Sequence, residues 1–150
     1  MMKTLPACFL FIASLAGLLT GQTQLPQSSM LEKSMKIKEP AWELSKKEDR
    51  PKSTIYRWKS GQERVDVEVF ATASPEAAAG KFQDFIRQVP VPPKEKLNGL
   101  GDEALLWQSP NTDGCMILFR RSNVFFHIDG SLVTHAKRFA GHLDDLVKTK

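Results

Sequence analysis

Cys115 and His127 are the pair from which a thiol nucleophile could be built, with the imidazole as its base. The sequence around them reads as two strands, about 114–121 and 124–130, joined by a turn at Arg121 to Asn123. A two-residue turn at Ser122-Asn123 sets Ile117 opposite Ile128, Leu118 opposite His127 and Phe119 opposite Phe126. Side chains alternate along a strand, so Cys115 then shares a face with Ile117, Phe119, Phe126 and Ile128. His127 falls on the other face with Met116, Leu118 and Asp129. A three-residue loop would shift this register and reunite the pair. The expectation is a core cysteine and no dyad.

The remaining candidates meet similar geometric objections. His135 and His142 are seven residues apart on a predicted helix, two turns or about 10 Å from one another, too far for the compact pairing of an i,i+4 metal site. Asp102 and Glu103 are adjacent at the entry to a strand and point to opposite faces, which suits a loop cap better than an acid/base pair. Asp144-Asp145 stands near a helix C-terminus, where acids oppose the dipole; the expected reading is a solvated end, with a cation contact as the alternative. The segment 46–59 interleaves Lys46, Lys47, Arg50, Lys52, Arg57 and Lys59 with Tyr56 and Trp58, after Trp42, and superficially suits nucleic acid. Tyr56 and Trp58, however, fall on the valine side of a hairpin, and Glu43, Glu48 and Asp49 dilute the charge. Nucleic acid is therefore not expected as the main partner; weak contact with an anionic surface through 46–59 is. No GxSxG, phosphate loop or dinucleotide fingerprint occurs, and Gly99-Leu100-Gly101 lacks a third glycine and leads into a strand. No catalytic, cofactor-binding or metal-ligating residue is assigned, and no cofactor is expected.

The elements that hold these residues are legible from periodicity. Thr54–Lys59 and Arg64–Ala71 alternate, with Val65, Val67 and Val69 on one side and Asp66 and Glu68 on the other. A turn at Ser60 to Glu63 pairs Trp58 with Val65, Tyr56 with Val67, Thr54 with Val69 and Arg57 with Asp66. Ser74-Pro75-Glu76 begins a helix with a capping serine, a proline at the first position and an acid near the positive dipole end. Its apolar stripe is Ala78, Phe82, Phe85, Ile86 and Val89, and Pro90, Pro92 and Pro93 end it. Strands follow at about 103–108, 114–121 and 124–130. A last helix, about 132–148, carries Leu132, Ala136, Phe139, Ala140, Leu143 and Val147. The order ββ-α-βββ-α, with a short strand at Trp42 as an option, gives an α+β fold: an antiparallel sheet of about five strands with two helices packed on one face.

Gly99-Leu100-Gly101-Asp102-Glu103-Ala104, followed by the hairpin tip Arg120-Arg121-Ser122-Asn123-Val124, resembles a pattern in small exported bacterial α+β domains of unknown function. Their turn more often carries glycine where Ser122 stands. The resemblance spans roughly residues 54–148. It implies an envelope location and a helix-on-sheet fold, and it assigns no catalytic role.

Residues 1–21 read as a cleavable secretory signal. Lys3 precedes the uncharged apolar run from Leu5 to Leu19, and Thr20-Gly21-Gln22 offers a cleavage point near Gly21. The run is about 15 residues, short of the roughly 20 needed to span a bilayer, so no transmembrane segment is expected after cleavage. A lipid-attachment reading of Leu5-Pro6-Ala7-Cys8 fails, because that box belongs at the end of the apolar region. Once the signal is removed only Cys115 remains, which excludes an internal disulfide. Residues 22–41 are expected as a basic polar spacer with one weak helical turn around Met30 to Ile37, and 42–150 as a single α+β domain. From Lys33 to Arg64 there are ten Lys or Arg against five Asp or Glu, and from Val65 onward ten against eleven, so the basic excess precedes the domain body. The composition, 41% hydrophobic and 25% charged, is that of an ordinary globular chain.

The expected function is an exported, periplasmic or extracellular, non-catalytic domain. It would bind an envelope component or a partner protein through the sheet's outer face or the loops at 90–102 and 109–113. A small-ligand carrier with a cleft between sheet and helices is the alternative, and a small extracytoplasmic enzyme the least favoured. An exposed apolar outer face formed by Ile55, Phe70, Leu118 and Phe125 would favour the first.

Overall fold

A computed structural model describes residues 28–148; the expected signal, 1–21, lies outside them. The described residues form an α+β fold of seven antiparallel strands and three helices: α1 (Ser28–Lys38), β1 (Glu43–Arg50), β2 (Ser53–Ser60), β3 (Glu63–Ala71), α2 (Pro75–Gln88), β4 (Glu95–Lys96), β5 (Glu103–Gln108), β6 (Cys115–Arg121), β7 (Val124–Gly130) and α3 (Val133–Lys148). The strand order is β1-β2-β3-β7-β6-β5-β4, so β3 and β7, far apart in sequence, join the two halves of the sheet.

Both predicted hairpin registers are present. Trp58 pairs with Val65, Tyr56 with Val67, Thr54 with Val69 and Arg57 with Asp66. Leu118 pairs with His127, Ile117 with Ile128 and Phe119 with Phe126 around the two-residue turn Ser122-Asn123. Ser122 occupies the left-handed region at φ 52°, a backbone conformation that glycine adopts without a steric cost. Ser74 caps α2 as expected, its hydroxyl accepting the Ala77 N–H at 3.1 Å.

The strand and helix counts and the layering correct the expectation of five strands and two helices on one face. β1 begins beside the optional short strand at Trp42 and runs for eight residues; that length is not legible because both of its faces are open and six of its eight residues are charged, so it shows no alternation. β4 is two residues long. α1 lies inside the stretch expected as a spacer, where Leu31 and Met35, at i and i+4, are buried in the main core. The helices occupy opposite faces. α1 and α3 cover the face of Tyr56, Trp58, Val67, Ile117, Phe119, Phe126 and Ile128, contributing Leu31, Met35, Ala136, Phe139, Ala140, Leu143 and Val147 to one core. α2 covers the other face, seating Phe82 on Leu118, Phe125 and Trp107. The expected apolar outer face is therefore closed. Leu118 and Phe125 are fully buried beneath α2, while Ile55 and Phe70 are only half-exposed.

α2 leans on β6 and β7 and leaves the β1–β2–β3 half of its face to charged side chains. Arg57 grips Asp66 at 2.7 and 2.8 Å there. The sheet's two edges are both poor templates for further pairing, since β4 is short and β1 is bulged after Leu44 and carries Lys46 and Lys47.

Candidate functional site

Each residue set apart for its chemistry can now be placed. Cys115 and His127 stand on opposite faces of the sheet. Cys115 is 8% exposed, and burial pushes its thiol up against the weaker opposing effect of the Gly130 backbone. His127 lies against the Phe85 ring at 5.0 Å, with Asp129 Oδ2 3.3 Å from its Nε2 and Glu68 4.0 Å from its Nδ1. His135 packs edge-on to Trp42 at 5.1 Å. His142 Nε2 lies 2.9 Å from Glu39 Oε1. Among the described residues no three His, Cys, Asp or Glu side chains cluster in a way that could hold a metal ion.

The glycine loop and hairpin tip that carry the resemblance form one charge knot. Asp102 accepts the Ser122 N–H at 2.6 Å, and its own N–H donates to the Arg120 carbonyl at 2.7 Å. Arg120 also donates to Glu103 at 2.7 Å, so Asp102 and Glu103 converge on one guanidinium. Asp144 was expected at a solvated helix end. It is instead 1% exposed and takes both Nε and Nη2 of Arg121, with Lys148 Nζ at 2.7 Å. Burial works against its charge, but Arg121, Lys148 and the Gly101 N–H outweigh it and hold the carboxyl below the usual aspartate range. Gly101 is at φ 60°, and a Cβ there would lie 2.3 Å from the Arg120 carbonyl oxygen. The motif thus has a structural reason for its residues: it ties the loop before β5 to the β6–β7 turn and to α3. Beside it a groove of about 540 Å³ runs between Glu95–Leu100 and α3. Of its cations, Lys137 is engaged by Glu95 and Lys148 by Asp144, while no ion pair among the described residues engages Lys96.

The basic segment 46–59 is largely neutralised. Lys46 and Arg50 flank Glu48 at 2.7 and 2.8 Å and pull its carboxyl down to about 2, and Lys47 pairs with Glu32 of α1 at 3.1 Å. Tyr56 and Trp58 are buried and stacked on one another.

Uncompensated positive charge and open apolar surface meet elsewhere, at the junction of α1 and β1. A groove of about 490 Å³ is floored by Trp42 and Trp58 and bordered by Pro40, Leu44, Lys33 and Lys36, with Glu32 and Glu43 on its rim. Trp42 is fixed by Phe139 at 5.0 Å and Trp58 by the same ring at 5.6 Å, so the floor is rigid. α1 is held by Glu39, a buried carboxylate just past its end that accepts Arg138 Nε and faces His142. No ion pair among the described residues engages Lys33 or Lys36. Of the four large apolar side chains exposed among the described residues, Leu44 at 36% lines this groove, while Met30 at 41% and Ile37 at 79% stand on α1 outside it. Sequence reasoning found Trp42 and Trp58 but not this groove. An isolated glutamate before Pro40 gives no sign that it will be buried.

No family model matches the chain, and no curated protein matches it. Among solved structures it is similar to the extracellular domain of PknH from Mycobacterium tuberculosis, with a TM-score of 0.53 and 10% identity, over 84% of this chain and 93% of that one. At that identity the likeness is one of fold. No described helix is long and apolar enough to cross a membrane.

Proposed function

We propose that the chain is an exported, non-catalytic binding domain and that the groove between α1 and β1 is its binding surface. The observation that carries this reading is the coincidence, in one groove, of an aromatic floor, of exposed Leu44, and of Lys33 and Lys36, which no ion pair among the described residues engages, with exposed Met30 and Ile37 on the neighbouring face of α1. Asp144 and Glu39, the two buried carboxylates among the described residues, each hold α3 to the rest of the fold. The apolar run 5–19 supports export, as does the fold shared with an extracellular domain. Cleavage near Gly21 would leave the described residues on the outer side of the membrane.

A small-ligand carrier is the second reading, favoured by the groove's volume, which lies in the range that encloses small molecules. Thermal unfolding against divalent metals, small metabolites, anionic polymers and lipids tests both. A rise in midpoint confined to one ligand, and lost in Trp42→Ala, identifies the occupant through its preference for the native state. A flat panel, together with no partner captured by cross-linking from Leu44, overturns the assignment of this groove.

A further inference from the structure

We infer that the outward face of α1, with Leu44 beside it, docks on an anionic lipid bilayer; this rests on the binding reading above and names the partner. α1 buries Leu31, Met35 and then Glu39, at successive i,i+4 positions, against the core. The opposite side therefore presents Lys33, flanked at i−3 by Met30 and at i+4 by Ile37, with Lys36 on the groove side. Lysines set among exposed apolar side chains on one helix face are the pattern of helices that lie in a membrane interface, where ammonium groups meet phosphate and apolar tips enter the acyl boundary.

Charge selects the sign of the partner. Lys33, Lys36 and Lys38 stand on α1 against Glu32, which is occupied by Lys47, and Glu43 is the one further acid on the groove's rim. Lys38 reaches Asp145 at 3.7 Å, which leaves Lys33 and Lys36 as the two cations of α1 that no ion pair among the described residues engages. A soluble polyanion would use these lysines but would leave Ile37, at 79% exposure, in water. A bilayer uses both. In the sequence the apolar run ends at Leu19, nine residues before α1 begins, so an exported chain brings this face out beside the membrane.

Co-sedimentation of the protein recovered from the exported fraction tests the inference. It is mixed with vesicles of phosphatidylcholine alone, or of equal parts phosphatidylcholine and phosphatidylglycerol. Binding to the anionic vesicles only is expected, weakening as salt is added. Lys33→Glu/Lys36→Glu should reduce it by about tenfold or more, since each lysine near an anionic surface contributes roughly a fivefold factor. Ile37→Ser should weaken it further, while Lys96→Glu, at the far edge of the sheet, leaves it unchanged. If the charge reversal lowers the unfolding midpoint, Lys33→Gln/Lys36→Gln gives the same reading with less perturbation. Equal binding to neutral vesicles, no vesicle binding, or a double variant that binds like the wild type overturns the lipid assignment. A ligand that raises the midpoint through the groove while vesicles fail would leave the binding reading intact. A chain retained inside the cell with residues 1–21 attached overturns the reading on which both rest.

Discussion

Arg121, at the end of β6, holds both carboxylate oxygens of Asp144, more than twenty residues further on in α3, so the last helix is tied to the sheet by one bidentate ion pair. The geometry excludes most water from the aspartate, whose side chain is 2% exposed, while Arg121 remains 22% exposed. Such a pair gives its orientation to a helix that hydrophobic packing alone would allow to slide.

Asp144→Asn should lower stability by about 2–3 kcal/mol at neutral pH, because it leaves Arg121, in a largely enclosed site, with only the longer contact to Asp102 at 3.7 Å. The carboxyl is held below the ordinary aspartate range. Its contribution is therefore complete above that range and is lost as pH falls through the lower folded value. Urea unfolding of wild type and variant across this interval should show the gap narrowing on the acid side. A gap independent of pH would mean that Asp144 acts through packing and not charge.

Gly101→Ala should cost about 3 kcal/mol or more, from a left-handed backbone and a Cβ driven into the Arg120 carbonyl. Gly99, also at positive φ but with open space around it, should tolerate alanine at a cost of about 1 kcal/mol. The ratio of the two denaturation shifts separates close approach from backbone preference alone.

What could be read in advance was whatever leaves a periodic or a capping signal. The β2–β3 and β6–β7 registers followed from Val65, Val67, Val69 and from Ile117, Phe119, Phe126, Ile128, whose alternation allows one pairing. α2 followed from Ser74-Pro75. β1 gave no such signal, because an edge strand with two wet faces is indistinguishable from a charged loop. The layering was misjudged for a different reason. Leu118 and Phe125 alternate correctly onto the second face, but alternation cannot say whether a helix covers that face, and α2 does. Of the candidate site, Trp42 and Trp58 were visible as aromatics. Their meeting with Lys33 and Lys36 depended on the docking of α1 through Glu39, a contact across about a hundred residues that local pattern does not encode.

Cys115 should resist a thiol reagent in the native protein and react when it is unfolded, since burial both shields the sulfur and disfavours its thiolate. Labelling followed with and without denaturant measures this. Native labelling as fast as that of the unfolded chain would place the sulfur on the surface.

Phe82→Ala should cost about 3–5 kcal/mol. Phe82 is the fully buried aromatic of α2 and meets Phe125 edge-on at 6.1 Å. A loss below about 1 kcal/mol would show that α2 does not depend on this contact.

Glu39→Ala should free α1 while sparing the sheet, because it removes the acceptor of Arg138 and the neighbour of His142 at a net cost of about 1–2 kcal/mol. Amide exchange should quicken across Ser28–Lys38 and stay slow in β5 to β7. Uniform acceleration would show that α1 and the sheet open as one unit.

The strand order has a consequence for how the chain is made. β3 is the seam of the sheet, yet its partner on the open side is β7, the last strand to be synthesised. α1 and α3, which share a core on one face, stand at the first and last positions in the order of elements. A chain emerging from the ribosome N-terminus first therefore holds β1, β2 and β3 as an incomplete half-sheet until Gly130 has been added, and α1 finds no latch until Arg138 follows. Contacts of such long sequence separation form slowly. For an exported chain, as proposed above, that delay is useful: the sheet cannot close, and the polypeptide stays threadable, until β7 has been made.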